Sequence, residues 1–254
     1  FDTARRRHAV RRAGGCAARG PTEPKRHGGR AAMLTLVYFN AMARGLGPAL
    51  ALERGGAEWQ RDPVPDRKDM KADRRNYPFG QLPILRDETS GAVVAQTIAI
   101  GCYIGRKTGT AGATEEEQII NDILLCEFET LYRFLNETFP TPYEKTDVGM
   151  FVKSRDHDIP AQFDYLEELL ASRGQDGSFT AGAASAGESM LFSVIHQIVL
   201  CLPSSLDQFP GLALWYERIL AEPKAQKVLD GESPYGKFTQ YFIHPAEEDL
   251  AAIA

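Results

Sequence analysis

The chain has 254 residues, 43% of them hydrophobic and 25% charged, with a formal net charge of −5 at neutral pH. This is ordinary globular composition, with length for one large core or two smaller ones, and two domains fit it better. No run approaches the roughly 18–20 consecutive apolar residues of a membrane span, the nearest, Met190 to Leu202, being interrupted by His196 and Gln197.

Residues 1–32 carry nine Arg or Lys against Asp2 and Glu23, about +7, which leaves about −12 on the remainder. An acidic body argues against a nucleic-acid surface. The first 32 residues are rich in Arg, Gly and Ala, lack apolar periodicity and cannot build a core. They read either as an organelle transit segment, for a mitochondrion or plastid, or as leader sequence ahead of a start at Met33, for a cytoplasmic protein. Cys16, Cys102, Cys126 and Cys201 form no CxxC or Cys/His cluster. That argues against a disulfide framework and against a metal site, and fits a reducing compartment.

From Leu34 the pattern changes. LTLVYF suits a buried strand, and AMARGLGPALALERGG reads as an Ala/Leu-rich helix closed by Gly55 and Gly56. AEWQR is a second strand. A polar loop from Asp62 to Tyr77, with room for a short helix, precedes FGQLPILRD, whose Leu82, Ile84 and Leu85 mark a third strand. Ser90-Gly91 turns into the strand AVVAQ, and TIAIGCYIGRKTG is a helix ending at Gly109. The order is βαβ followed by ββα.

Beyond the linker GTAGAT no strand pattern persists. EEEQIINDILLCEFETLYRFL and AQFDYLEELLASRG repeat apolar residues at spacings of three and four. Glu115 to Glu117 suit the positive end of a helix dipole. Ser185-Ala186-Gly187-Glu188 fits a capping box ahead of MLFSVIHQIVLCL. The expected fold class is α+β: residues 33–109 form a sheet-containing domain, 114–235 a helical domain, and 236–254 a tail.

Five segments occur in an order that resembles the cytosolic glutathione transferases, most closely their Tyr-dependent sigma, mu and pi classes: LVYFN, FGQLP, QTIAI, FTAGAASAGESMLF and FPGLALWYERILAEPKAQKVL. The resemblance covers about residues 34–230 and implies a thioredoxin-like domain that binds glutathione, then an all-helical domain, in a homodimer. It implies that Tyr38 is the catalytic tyrosine. A free thiol with a pKa of about 8.5 is only a few per cent thiolate at neutral pH, so a hydroxyl donor must stabilise the anion.

Carried over position by position, the resemblance places Gln81, Leu82 and Pro83 at the glutathione backbone, with Pro83 cis. Gln96 and Thr97 fall at the γ-glutamyl carboxylate, where a helix N-terminus receives an anion. Aligned without gaps from Tyr38, Arg44 matches an arginine near the thiol, and with a two-residue gap the earlier arginine of an RG pair; its segment, AMARGLGP, departs from the family's RGRAE pattern and keeps one arginine where relatives often have two. Arg74 or Arg75 is expected at the glycine carboxylate. Glu129 matches an acidic residue that reaches the glutathione amine of the partner subunit, and Phe79 an aromatic that plugs a pocket on that subunit.

The implied activity is conjugation of the glutathione thiolate to a small hydrophobic electrophile, in a pocket lined from the helix near Thr114 and from the tail YGKFTQYFIHP. Two alternatives stay open: glutathione-dependent isomerisation or reduction of a lipid peroxide, and a non-catalytic structural subunit.

Overall fold

The computed structural model describes residues 33–173, 177–181 and 185–251. The leader or transit segment 1–32, residues 182–184 of FTAGAASAGESMLF, and 252–254 of the tail lie outside them. The described residues cluster as one compact unit.

β1 (Leu34–Val37) is apolar at three of four positions because both its faces are covered, and every residue in it is buried. It pairs parallel with β2 (Trp59–Asp62) and antiparallel with β3 (Ile84–Asp87), in register Val37 to Asp62 and Val37 to Ile84. β4 (Ala92–Ala95) closes the order β2-β1-β3-β4. Leu34, Leu36 and Leu85 belong to the main core with α1 (Leu46–Arg54) and α3 (Thr97–Thr108). Val37 and Ile84 face the opposite way, against Met70 of α2 (Arg67–Ala72) and Tyr77.

The first helix was expected from Ala41 but starts at Leu46, because residues 40–45 make an irregular turn in which Ala43 adopts φ 21°. The polar loop does hold a short helix, α2. α3 ends as expected at Gly109, left-handed at φ 73°.

The second half is helical: α4 (Glu115–Thr138), α5 (Val148–Lys153), a π-helical turn (Ser154–Asp158) leading into α6 (Ile159–Arg173), α7 (Ala186–Cys201), α8 (Pro210–Leu220), α9 (Pro223–Leu229) and α10 (Glu247–Ala251). Thr114 caps α4 by accepting from the Glu117 N–H, with three carboxylates in the first turn as expected. The Ser185/Glu188 capping box is formed. Fourteen of the sixteen residues of α7 are buried, and it packs against both α4 and α1, which joins the helical half to the sheet half. Arg54 crosses the same boundary, donating to both Glu222 carboxylate oxygens (2.7 and 2.9 Å) and to Ser189 Oγ (2.7 Å). Among the described residues no helix is long and apolar enough to cross a membrane.

Asp87 closes β3 with a buried carboxylate. Lys107 Nζ lies 2.6 Å from it, Tyr103 donates at 2.6 Å, and the Thr89 and Ser90 N–H groups donate at 2.8 and 3.1 Å. Burial alone would raise its pKa, but Lys107, Tyr103 and the two N–H groups hold it well below the ordinary carboxylate range. A depressed folded-state pKa contributes stability above the unfolded value of about 4 and loses it as pH falls through that range. Asp87→Asn is therefore expected to cost roughly 2–3 kcal/mol at pH 7, with the gap from the parent narrowing below about pH 4. Thermal melts across pH check this, and a gap that stays constant into acid contradicts it.

Candidate functional site

Tyr38 follows β1 directly, and its ring is only 7% exposed. It packs on the backbone of Gly45, where a Cβ would lie 2.2 Å from the ring's Cδ1, so the departure AMARGLGP supplies the one residue that fits. Tyr38 Oη accepts a hydrogen bond from the Arg44 N–H (3.2 Å). Burial pushes the phenol up to about 12, outweighing the lowering by that N–H and by the Arg44 guanidinium. At neutral pH the hydroxyl is therefore protonated. With an N–H already directed at its oxygen, its own proton is left to be donated elsewhere.

The turn carrying these groups is tied down from the helical half and the tail. Gln197 of α7 donates to the Ala43 carbonyl (3.1 Å). The Thr239 N–H donates to the Asn40 carbonyl (3.2 Å), the Met42 N–H donates to the Thr239 carbonyl (2.9 Å), and the Tyr235 hydroxyl donates to the Phe39 carbonyl. Arg61 stacks on the Tyr235 ring at 4.5 Å. The tail thus runs beside the tyrosine turn as a strap, in a short parallel bridge from Ala41 to Thr239.

Beside this turn opens a cavity of about 780 Å³. Phe39 and Arg44 form one wall, Arg67 and Met70 another, with Gln81, Leu82, Pro83, Gln96, Thr97 and Glu129 completing it. The Leu82–Pro83 peptide is cis, as the resemblance implies. The β3 ladder starts only at Ile84, so the Leu82 backbone precedes the paired strand. Gln96 caps α3 at φ 73° with no side-chain cap bond. A non-glycine residue held there costs on the order of 1–3 kcal/mol, and such strain concentrates at ligand sites. Thr97 is thus the first helical residue, and the α3 N-terminus, whose first backbone N–H groups have no intrahelical partner, lies at the cavity wall.

Arg44 forms a two-pronged pair with Glu129 (2.5 and 2.7 Å), lies 3.5 Å from Thr97 Oγ1, and stacks on the Tyr132 ring at 4.0 Å. Its charge is therefore partly offset before any ligand arrives.

Of the expected site residues, Arg44, Gln81, Leu82, Pro83, Gln96, Thr97 and Glu129 line one cavity, and Tyr38 stands behind its Arg44 wall. Arg74 does not join them. It is exposed in the turn after α2 and is not part of the lining. Arg67, at the start of α2, occupies the wall instead and makes no ion pair among the described residues. Sequence reasoning missed it because α2 carries a single buried residue, Met70, and shows no periodicity. Glu129 was expected to reach a partner subunit, yet its carboxylate is engaged by Arg44 of its own chain. Phe79 is 65% exposed beside the same cavity.

A family model described as "Glutathione S-transferase, C-terminal domain" matches residues 130–231. Glutathione S-transferase 1 of Ascaris suum is 32% identical over 148 residues, covering 56% of this chain and 68% of the relative. The chain belongs to the glutathione S-transferase family. Glutathione S-transferase P 1 of Xenopus laevis extends the likeness to 78% of the chain and 92% of the relative at 28% identity. The pi-class glutathione S-transferase structure of Onchocerca volvulus superposes with a TM-score of 0.67 at 24% identity, covering 78% of this chain and 92% of that one. Family membership accounts for the α+β architecture, a thioredoxin-like sheet domain followed by helices.

Proposed function

We propose that this glutathione S-transferase conjugates glutathione to small hydrophobic electrophiles, with Tyr38 as the residue that stabilises the thiolate. The observation that carries this is the Arg44 N–H to Tyr38 Oη hydrogen bond, which orients a protonated phenol so that its O–H is free to donate to sulfur. In this reading the Leu82 backbone pairs with the cysteinyl unit as an added strand. The α3 N-terminus with Gln96 and Thr97 receives the γ-glutamyl carboxylate, and Gln81 the neighbouring backbone. Arg67, rather than Arg74, meets the glycine carboxylate. Glu129 attracts the glutathione amine while restraining Arg44. The electrophile enters between the sheet domain 33–109 and the helical domain 114–235, beside the strap, in a homodimer.

Retention on immobilised glutathione, elution by free glutathione, and turnover of a chlorinated dinitrobenzene test the reading. Absence of retention contradicts it, and retention without turnover contradicts the conjugation step while keeping the binding site. Arg67→Ala is expected to raise KM for glutathione about three- to tenfold at nearly constant kcat, because a carboxylate contact remote from sulfur binds ground and transition states alike. A fall in kcat at unchanged KM would remove Arg67 from that role, and an equal effect in Arg74→Ala would restore Arg74.

A further inference from the structure

We infer that Gln197, on α7, is a positioning residue for the thiolate-stabilising tyrosine, acting through the peptide that joins Ala43 to Arg44. This rests on the role proposed for Tyr38. The two hydrogen bonds already described belong to one peptide group: its C=O accepts from Gln197 Nε2 at 3.1 Å, and its N–H donates to Tyr38 Oη at 3.2 Å. A side chain of the helical half thus reaches the phenol through a single amide, and accepting a bond at the carbonyl strengthens the N–H as a donor.

Three features give this relay a purpose beyond packing. First, Gln197 Nε2 also donates to the Ser193 carbonyl at 3.0 Å, so both atoms it faces are acceptors and the amide's orientation is determined. Second, that orientation leaves Oε1 buried without a partner among the described residues, on a residue only 2% exposed, inside a helix that is otherwise largely apolar. An apolar residue of the same shape would exchange this unpaired acceptor for another, the buried Ala43 carbonyl, so the net gain in stability from a glutamine here is small. Third, the peptide follows Ala43, whose φ of 21° is unfavourable for a residue with a Cβ and persists only when its surroundings hold it. Gln197 holds that carbonyl. With the peptide fixed, the Arg44 N–H stays on Tyr38 Oη and the phenol proton stays directed away from it. With the peptide released, the phenol becomes free to turn.

The ionisable groups facing the Tyr38 hydroxyl are Arg44 on its own turn, with Glu129 behind it, Tyr132 on α4, and Tyr235 and Tyr241 of the strap. All of them are retained when Tyr38 is replaced by Phe, so that variant isolates the relay.

The test is the pH dependence of kcat/KM for chlorinated dinitrobenzene conjugation in four proteins: parent, Gln197→Met, Tyr38→Phe, and the double variant. Gln197→Met is expected to move the acid limb up by about half to one pH unit and to lower kcat/KM near pH 6.5 about three- to tenfold, with glutathione KM within about twofold. The melting temperature should change little, since one unpaired buried acceptor, Gln197 Oε1, is exchanged for another, the Ala43 carbonyl. In the Tyr38→Phe background the same change should have almost no effect, which a merely structural role would not produce. Gln197→Leu must behave like Gln197→Met if the latter folds poorly. A limb that moves in Tyr38→Phe but not in the Gln197 variants, or an equal Gln197 effect with and without Tyr38, overturns this inference alone. A limb that stays in place in Tyr38→Phe overturns the role of Tyr38 and the relay with it.

Discussion

Tyr38→Phe should lower kcat/KM for glutathione conjugation at pH 6.5 by about ten- to a hundredfold, equivalent to roughly 1.4–2.7 kcal/mol of lost thiolate stabilisation. The ring fills the same buried space on Gly45, so the fold and glutathione retention should survive. The loss should shrink as pH rises toward 9, because the thiol then ionises without help. A variant that is equally impaired at pH 6.5 and pH 9 would indicate lost structure, and an unimpaired one would move thiolate stabilisation to another donor. The direction follows from burial: a phenol pushed up to about 12 stays protonated through this range, so it acts as a donor and not as a base.

Glu188→Ala should be the most destabilising single change in the helical half, at roughly 3–5 kcal/mol. Its carboxylate is 4% exposed and accepts from the Phe179 N–H (3.1 Å), the Thr180 hydroxyl (3.2 Å) and the Trp215 indole N–H (3.2 Å), besides completing the capping box with Ser185. Removing it orphans several buried donors at once and opens space beside Trp215, which is fully buried. Ser185→Ala, which removes one cap acceptor, should cost only about 1 kcal/mol. Denaturant unfolding of the two variants checks the ratio. Comparable costs would mean that the capping box, and not the bonds to Phe179, Thr180 and Trp215, carries the stability.

What the sequence made legible follows from how local each signal is. LTLV is a nearly unbroken apolar run because β1 is central and covered on both faces, and such a run identifies a buried strand without tertiary information. The acidic first turn at Glu115 to Glu117 and the capping box at Ser185 are local chemistry and were readable for that reason. The loop after β2 had room for a short helix, but the bounds of α2 and the place of Arg67 on it were not readable, since only Met70 of its six residues is buried. The first helix was extended five residues too far, because Ala-rich composition hides a turn stabilised from elsewhere: Gln197 lies 154 positions from Ala43, and Thr239 is 199 from Asn40. The Arg44 to Glu129 pair spans 85 positions and carries no local mark. His196 and Gln197 marked breaks in an apolar run, with His196 read as a buried or interface histidine and no role read for Gln197. The structure gives each a polar partner, His196 at the Tyr216 hydroxyl (2.9 Å) and Gln197 at the tyrosine turn.

Thiolate stabilisation by Tyr38 is tested by titrating glutathione bound to the protein, following thiolate absorbance against pH in the parent and in Tyr38→Phe. The bound thiol should titrate about two units below its free value of roughly 8.5–9 in the parent and return most of the way toward that value in Tyr38→Phe. A bound thiol with the same pKa in both proteins would contradict that stabilisation.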